Sequence, residues 1–172
     1  MKKSLVLTLI GPDKPGIVEQ LSALLANHGG NWEQSSMSRL AGQFAGILIA
    51  SVDDAAESAL MNDLQGLEQQ GLRVLATADQ ADLPIREGRT VRLELLGNDK
   101  PGIVREISAA LASRNVSVDS LETEVVSGSM SADLLFKANA VLLVPPGSDL
   151  DDLQDALEAI AADLMVEIAL AD

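Results

Sequence analysis

The sequence predicts an α+β protein of two similar units, each with the element order β-α-β-β-α-β and an antiparallel sheet carrying two helices on one face. Two observations support this fold class. The 172-residue chain repeats part of itself at an offset of half its length, and apolar positions switch between strand and helix spacing in the same order in both halves. An apolar content of 47% is enough for a core, so the acidic chain is not expected to be disordered.

The repeat is clearest around the segment Gly-x-Asp-Lys-Pro-Gly-Ile-Val. Residues 7–26 read LTLIGPDKPGIVEQLSALLA and residues 93–112 read LELLGNDKPGIVREISAALA, with 13 of 20 positions identical at an offset of 86. An unbroken DKPGIV at this spacing indicates a tandem duplication of one small domain. We therefore predict domains at residues 1–78 and 90–172, joined by a linker at 79–89 that contains Pro84 and Gly88.

The first half begins with an apolar segment at residues 5–10, which predicts a central strand. A loop at 11–14 follows, and Pro15 suits the first turn of a helix, where its missing N–H is not needed. Helical spacing gives this helix one inward face, formed by Ile17, Val18, Leu21, Leu24 and Leu25. The pair Gly29-Gly30 is expected to end it.

The rest of the first half predicts a hairpin, a second helix and a last strand. Strands are predicted at residues 31–40 and 44–52, and another at 72–76. Asp54 is predicted as the N-cap of the second helix, with Glu57 three residues on as its capping-box partner. The hairpin turn is assigned to Ala41-Gly42. The inward face of the second helix is assigned to Ala56, Leu60, Leu64 and Leu67, and its end to Gly71.

The second half predicts the same order of elements. Strands are expected at residues 91–96, 116–126, 134–144 and 165–170, and the first helix at 101–114. The hairpin turn is assigned to residues 127–129, and Pro145-Pro146-Gly147 is expected to end the third strand. Ser148 or Asp149 would cap a second helix whose inward residues include Leu153, Leu157 and Ile160.

Composition excludes several classes of function. Without cysteine the chain has no disulfide, cysteine–zinc site, iron–sulfur cluster or thiol nucleophile, and a single histidine, His28, excludes a multi-histidine metal site. The 26 acidic against 12 basic residues give a net charge of −14, which argues against direct contact with nucleic acid. No apolar run approaches the roughly 20 residues of a membrane helix. With no targeting segment visible, a soluble cytoplasmic protein without a cofactor is expected.

The repeated segment has the chemistry to bind an amino acid. Free N–H groups at the start of each helix suit a carboxylate, and Asp13 and Asp99 could accept hydrogen bonds from an ammonium group. A purely structural interpretation is also open, because Asp, Pro and Gly in this order describe any well-formed helix start. Retention of the loop in both halves favours the binding interpretation.

These features resemble the ACT domain, a small regulatory module that senses amino acids. The resemblance rests on the β-α-β-β-α-β order, on the loop at residues 11–18 and on the helix-to-strand passage Asn27-His28-Gly29-Gly30-Asn31-Trp32. It implies two ferredoxin-like βαββαβ ACT domains that fill the chain. The tandem arrangement, with no catalytic or DNA-binding domain attached, looks like the glycine cleavage system transcriptional repressor group.

The resemblance also implies where a ligand binds. ACT domains pair side by side through their sheets, and ligands sit between them, touching the loop after the first strand and the start of the second strand. Ser117 occupies the position matching Asn31, and its shorter hydroxyl reaches less far than the amide. Carried onto this chain, the implied site residues are Gly11, Asp13, Lys14, Pro15, Gly16, Ile17, Val18, Asn31, Gly97, Asn98, Asp99, Lys100, Pro101, Gly102, Ile103 and Val104.

The function implied by the resemblance is that of a non-enzymatic regulator. It would bind a small amino acid, glycine first, and act through a protein partner such as a DNA-binding activator. A homodimer through the sheet edges is a further implication. The alternative is a stand-alone regulatory subunit of an amino-acid biosynthetic enzyme. Two single residues have simpler interpretations: His28 caps a helix end, and Trp32 is buried between paired domains rather than stacked on a ligand.

Overall fold

A computed structural model describes residues 1–78, 85–128 and 133–172. The chain divides into two compact units, Met1–Leu83 and Pro84–Asp172, called unit 1 and unit 2 below. Residues 79–84 of the predicted linker lie outside the described residues, and Arg89 at its end already belongs to the first strand of unit 2. Each unit is described by itself.

Unit 1 has the predicted β-α-β-β-α-β order. Its elements are β1 (Lys2–Pro12), α1 (Ile17–Asn27), β2 (Asn31–Leu40), β3 (Gln43–Asp53), α2 (Asp54–Gly66), a 3-10 turn (Leu67–Gln70) and β4 (Arg73–Ala78). The four strands form one antiparallel-paired sheet in the order β2-β3-β1-β4. This order places the first and third strands of the unit at the centre, so their backbone groups are paired on both sides.

Unit 2 repeats this architecture. Its elements are β5 (Arg89–Asn98), α3 (Ile103–Ala112), β6 (Ser117–Ser127), β7 (Leu134–Val144), α4 (Leu150–Leu164) and β8 (Val166–Ala171). The sheet order is β6-β7-β5-β8, which matches unit 1 strand for strand. The predicted α+β fold class is therefore confirmed. Among the described residues no helix is long and apolar enough to cross a membrane.

The core of each unit lies between one face of the sheet and the two helices. In unit 1 the alternate β1 residues Leu5, Leu7 and Leu9 are buried, because successive strand residues point to opposite faces. They pack in one cluster with the buried α1 residues Leu21 and Leu25. Unit 2 forms the equivalent cluster from Val91, Leu93, Leu95, Ile107, Leu111, Leu153 and Leu157, among others.

The duplication extends to an irregularity of the backbone. The pairing of β2 with β3 shifts register between Trp32 and Gln34, and that of β6 with β7 shifts between Val118 and Ser120. These positions are equivalent at the 86-residue offset. A bulge of this kind changes which side chains face the helices, so both units present the start of the second strand in the same way.

Several local predictions are wrong. Val18, predicted on the inward face of α1, is 47% exposed. Pro15 and Pro101 do not lie in the first turn of a helix, because α1 and α3 begin two residues later, after Gly16 and Gly102. Asp54 is not an N-cap. It is the first helical residue of α2, and the capping position falls to Asp53, which has an extended backbone and no side-chain cap.

Glu57 therefore has a different partner from the one predicted. Its carboxylate accepts a hydrogen bond from Lys3 Nζ at 2.8 Å, which joins α2 to β1 and raises the pKa of Lys3. In unit 2 the prediction of Asp149 as a cap is confirmed, since its side chain accepts from the N–H groups of Asp151 and Asp152. Of the predicted turn at 127–129, Ser129 lies outside the described residues.

Candidate functional site

The two repeated loops are held in the same way in both units. The backbone N–H of Asp13 donates to the carbonyl oxygen of Gly42 at 2.9 Å, and that of Asp99 donates to the carbonyl oxygen of Leu134 at 2.9 Å. Both acceptors lie in the hairpin that joins the second and third strands. Each loop is thus tied to the neighbouring hairpin by its backbone, which leaves the aspartate side chain available for other contacts.

A left-handed glycine ends each loop. Gly16 has φ +90° and Gly102 has φ +91°, and nothing lies within 4 Å of a β-carbon added to either. The backbone therefore requires glycine here although space is free. Both residues are helix N-caps without a side-chain hydrogen bond, so the first N–H groups of α1 and α3 carry no side-chain cap. These N–H groups and the helix dipole suit an anion such as a carboxylate.

Gly11 and Gly97 are required by the neighbouring strand rather than by a ligand. A β-carbon on Gly11 would lie 2.8 Å from the carbonyl oxygen of Gly71, and one on Gly97 would lie 2.7 Å from Cα of Val166. Both contacts are made where the chain enters the last strand of the unit. The close backbone approach expected from these glycines therefore occurs inside each unit.

The two loop carboxylates have different surroundings. Arg39 Nη1 donates to Asp13 Oδ2 at 3.2 Å, so the Asp13 carboxylate already has a cationic partner. The residue equivalent to Arg39 in unit 2 is Val125, which has no charge. Among the residues that the structure describes, Asp99 forms no ion pair. An ammonium group would therefore compete with a guanidinium at the first loop and not at the second.

The remaining loop residues divide into exposed and buried sets. Ile17 and Ile103 are buried in the cores and offer only backbone atoms to a ligand. Lys100 is half-buried, whereas Lys14 is exposed, with Nζ at 3.5 Å from the carbonyl oxygen of Gln70. The exposed residues are Asp13, Pro15, Gly16, Val18, Asn98, Asp99, Pro101, Gly102 and Val104.

A hollow lies directly beside the first loop. It has a volume of about 220 Å³, and Lys14, Pro15 and Ile17 line one side while Gln70 and Leu72 line the other. Three implied site residues thus meet the start of the last strand at one concave surface. Gln70, whose backbone carbonyl oxygen lies 3.5 Å from Lys14 Nζ, is a lining residue that the sequence did not single out.

Asn31 does not lie near this loop within its own unit. It pairs with Ser51, which pairs in turn with Ser4, whereas the loop leaves β1 at Pro12. Eight residues of strand, about 26 Å, separate these two ends of the sheet. Ser117 occupies the same end of unit 2, opposite Leu143. The loop residues of each unit therefore come together, and the start of the second strand stays apart from them.

Unit 2 also has an apolar pocket between α3 and β6. It encloses about 50 Å³, and its lining includes Val104 and Ser108 from α3 and Val118 and Leu121 from β6. In unit 1 the position of Val118 is held by Trp32, which packs against the core and whose Nε1 donates to Ser35 Oγ at 3.0 Å. The second strands thus place different side chains beside otherwise similar helices.

His28 is a contact between the two helices of unit 1. It occupies the C-cap of α1, as its position in the sequence suggests, and its Nε2 lies 2.6 Å from Asp63 Oδ2 on α2. The imidazole is partly covered and the carboxylate is exposed. This arrangement ties α1 to α2 and is a structural role.

Comparison with known proteins agrees with this architecture. Models of the ACT domain match residues 3–76 and residues 91–162, one in each unit. The chain belongs to the ACT domain family. A UPF0237 protein from Methanopyrus kandleri is 37% identical over 73 residues, which is 41% of this chain and 81% of that protein. The tandem pair of ACT domains is therefore established for the chain, as its repeat predicts.

Two solved structures resemble the whole tandem ACT protein. An unknown protein from Galdieria sulphuraria has a TM-score of 0.83 at 27% identity, covering 99% of this chain and 98% of that one. A protein proposed to be a glycine cleavage system transcriptional repressor has a TM-score of 0.71 at 23% identity, covering 99% and 97%. At 23% identity the likeness concerns the fold. The two ACT domains support a regulatory role for this chain.

Proposed function

We propose that this ACT protein senses a small amino acid and transmits its binding to a protein partner. The observation that carries the proposal is the repeated loop, which keeps its backbone anchor, its left-handed glycine and its uncapped helix start in both units. One loop presents N–H donors for a carboxylate and an aspartate for an ammonium group, which together match the two charges of an amino acid.

The two loops are expected to bind with different strength. At the first loop an amino acid has to share Asp13 with Arg39, which lies 3.2 Å away. At the second loop Asp99 is exposed, and none of the ion pairs among the described residues involves it. We therefore assign the tighter binding to the second loop.

The proposed site is shared between domains. Asn31 and the loop of its own unit lie at opposite ends of one sheet, so both can touch one small ligand only if the loop belongs to another domain. The side-by-side pairing implied by the resemblance would permit this. A ligand that bridges two domains changes the contact between them, which supplies a route from binding to partner affinity.

We name glycine as the first ligand to test and a DNA-binding activator as the first partner. Support comes from the likeness to the glycine cleavage repressor group and from the charge. A net charge of −14 repels nucleic acid, so regulation of transcription would act through a protein. The second half has 6 basic and 16 acidic residues, net −10, against 6 and 10, net −4, in the first half. A basic partner would therefore favour unit 2.

Thermal-shift and calorimetric screening of the 20 amino acids tests the sensor proposal. A ligand present at 100 times its dissociation constant stabilises the fold by about 2.7 kcal/mol. Asp99→Asn should weaken binding more than Asp13→Asn, and Asp155→Asn on the exposed face of α4 serves as the control. Absence of a shift with every amino acid would count against a sensor, and equal loss in the control would count against the assigned loop.

Affinity purification with and without glycine tests the partner. Coupling between two binding sites is reciprocal, so a ligand that alters partner affinity must itself bind with altered affinity when the partner is present. Recovery of a DNA-binding activator in a glycine-dependent manner would support the proposal. Recovery of an amino-acid biosynthetic enzyme instead would favour the alternative of a stand-alone regulatory subunit.

A further inference from the structure

The middle of the unit 1 sheet face that points away from its helices is almost free of charge. The strand pairing defines three rows of four residues across this face, which we call the open face of unit 1. The rows are Ser38–Ala45–Ile10–Arg73, Ser36–Ile47–Thr8–Leu75 and Gln34–Ile49–Val6–Thr77. Only Arg73 among these twelve is charged. Ile10, Ile47 and Leu75 are 48%, 53% and 66% exposed.

The matching face of unit 2 has the opposite character. Its rows are Glu124–Lys137–Leu96–Glu167, Glu122–Asn139–Glu94–Ala169 and Ser120–Val141–Arg92–Ala171. Six of these twelve residues are charged, against one on the open face of unit 1. A sheet face exposed to water normally alternates polar residues with the core positions, as unit 2 does. The open face of unit 1 therefore combines exposed aliphatic side chains with an unusually low charge.

We propose that the open face of unit 1 packs against the same face of a second copy of this chain. Sheets pack face to face about 10 Å apart with their strands nearly aligned, and short aliphatic side chains such as those of Ile47 and Val6 suit this contact. The proposal goes beyond the ligand-binding function and does not depend on it.

Charge favours a second copy over the face of unit 2. Pairing the open face with the unit 2 face would remove Glu94, Arg92 and Glu122 from water opposite aliphatic side chains, which is costly. A two-fold axis parallel to the strands, between β3 and β1, sets uncharged residues against uncharged residues, except that each Arg73 faces Ser38. Arg73 lies on the edge strand β4, so the two copies of its side chain would fall on opposite rims, where water still reaches them.

The open face is small for a specific contact, so we expect a weak dimer that forms as concentration rises. Three rows about 6.6 Å apart across four strands about 4.8 Å apart give about 380 Å² per copy in flat projection. Specific interfaces begin at about 600 Å² of accessible surface per partner. The accessible surface of the open face is larger than its flat projection, because its side chains make the surface uneven. The interface would be small and nearly uncharged, with an affinity sensitive to a single charge at its centre.

Light scattering coupled to size-exclusion chromatography tests the proposal on the full chain, from low to high micromolar loading. We expect the wild type to approach twice the 18.0 kDa chain mass as concentration rises. Ile47→Lys should give the monomer mass. Asn139→Lys, at the matching position of unit 2, is the control and should leave the dimer intact. Thr8→Glu introduces the residue that unit 2 has at the equivalent position, Glu94, and should also give the monomer mass. This second variant shows whether the effect of Ile47→Lys comes from a folding defect.

These positions separate face pairing from edge pairing. Ile47 and Thr8 lie on β3 and β1, the central strands, so a dimer joined through β2 or β4 edges would survive both substitutions. Added salt should strengthen the dimer, because it screens repulsion between two chains of net charge −14. A wild type that stays monomeric, variants that stay dimeric, loss of the dimer in Asn139→Lys, or weakening by salt would each overturn the proposal.

Discussion

Replacing Gly16 by alanine should destabilise unit 1 without creating a steric clash. The backbone at Gly16 has φ +90°, and no atom lies within 4 Å of the added β-carbon. The cost therefore comes from the backbone alone. The left-handed conformation costs an L residue about 1–2 kcal/mol. The substitution also reduces the entropy of the unfolded chain, which offsets a few tenths of a kcal/mol of this cost. We expect a net loss of about 1 kcal/mol in the free energy of unfolding.

Urea unfolding followed by tryptophan fluorescence measures this loss in unit 1. Trp32 is the only tryptophan in the chain and packs against the core of unit 1, so its emission reports that unit. With a slope of about 1 kcal/mol per molar urea for a domain of this size, the midpoint should fall by about 1 M. If the units unfold independently, Gly102→Ala should leave the urea midpoint of Trp32 fluorescence unchanged. The helical circular-dichroism signal of unit 2 should then be lost at a lower urea concentration than in the wild type.

Gly66 provides a matched control of opposite sign. It lies at the end of α2 with φ −61° and ψ −24°, and nothing surrounds its added β-carbon. Alanine adopts this conformation without strain, so Gly66→Ala should raise stability by about 0.4–1 kcal/mol. A Gly16→Ala variant as stable as the wild type, or one that shifts in the same direction as Gly66→Ala, would refute the argument from backbone geometry.

Two further predictions concern unit 2 and a helix start in each unit. Gly97→Ala should cost about 1–3 kcal/mol by overpacking, because the new β-carbon would lie 2.7 Å from Cα of Val166; a circular-dichroism melt unchanged by the substitution would contradict this. Asp149→Ala should cost about 1 kcal/mol through loss of a side-chain cap, whereas Asp53→Ala, at a cap without such a bond, should cost clearly less in the same assay.

The element order of both units follows from the sequence because burial imposes a period on it. Strand β2 at Asn31–Leu40 and strand β7 at Leu134–Val144 have the predicted bounds. Helix starts were placed less well, since proline is compatible with the first turn and with the turn before it. The local pattern could not show that Gly16 has a left-handed backbone and so delays α1 to Ile17.

The candidate site was predicted in part. The loops at residues 11–18 and 97–104 are visible as a repeat, whereas Arg39 was missed because it lies 26 positions from Asp13 in sequence. The order of the elements does, however, indicate that the end of β2 lies near the loop. β2 runs in the same direction as β1, so its last residues reach the loop and its first residues do not. The same topology places Asn31 at the opposite end of the sheet from the loop of its own unit. The resemblance assigns both to the ligand site.

The sequence by itself determined the duplication, the α+β class and the family, because these depend on local periodicity and on a motif retained twice. Tertiary structure alone decided which side chains meet. It paired Asp13 with Arg39, placed Val166 against Gly97, and gathered uncharged residues from four strands onto one face of unit 1. Each of these depends on strand register, and register is set by contacts between residues far apart in the chain.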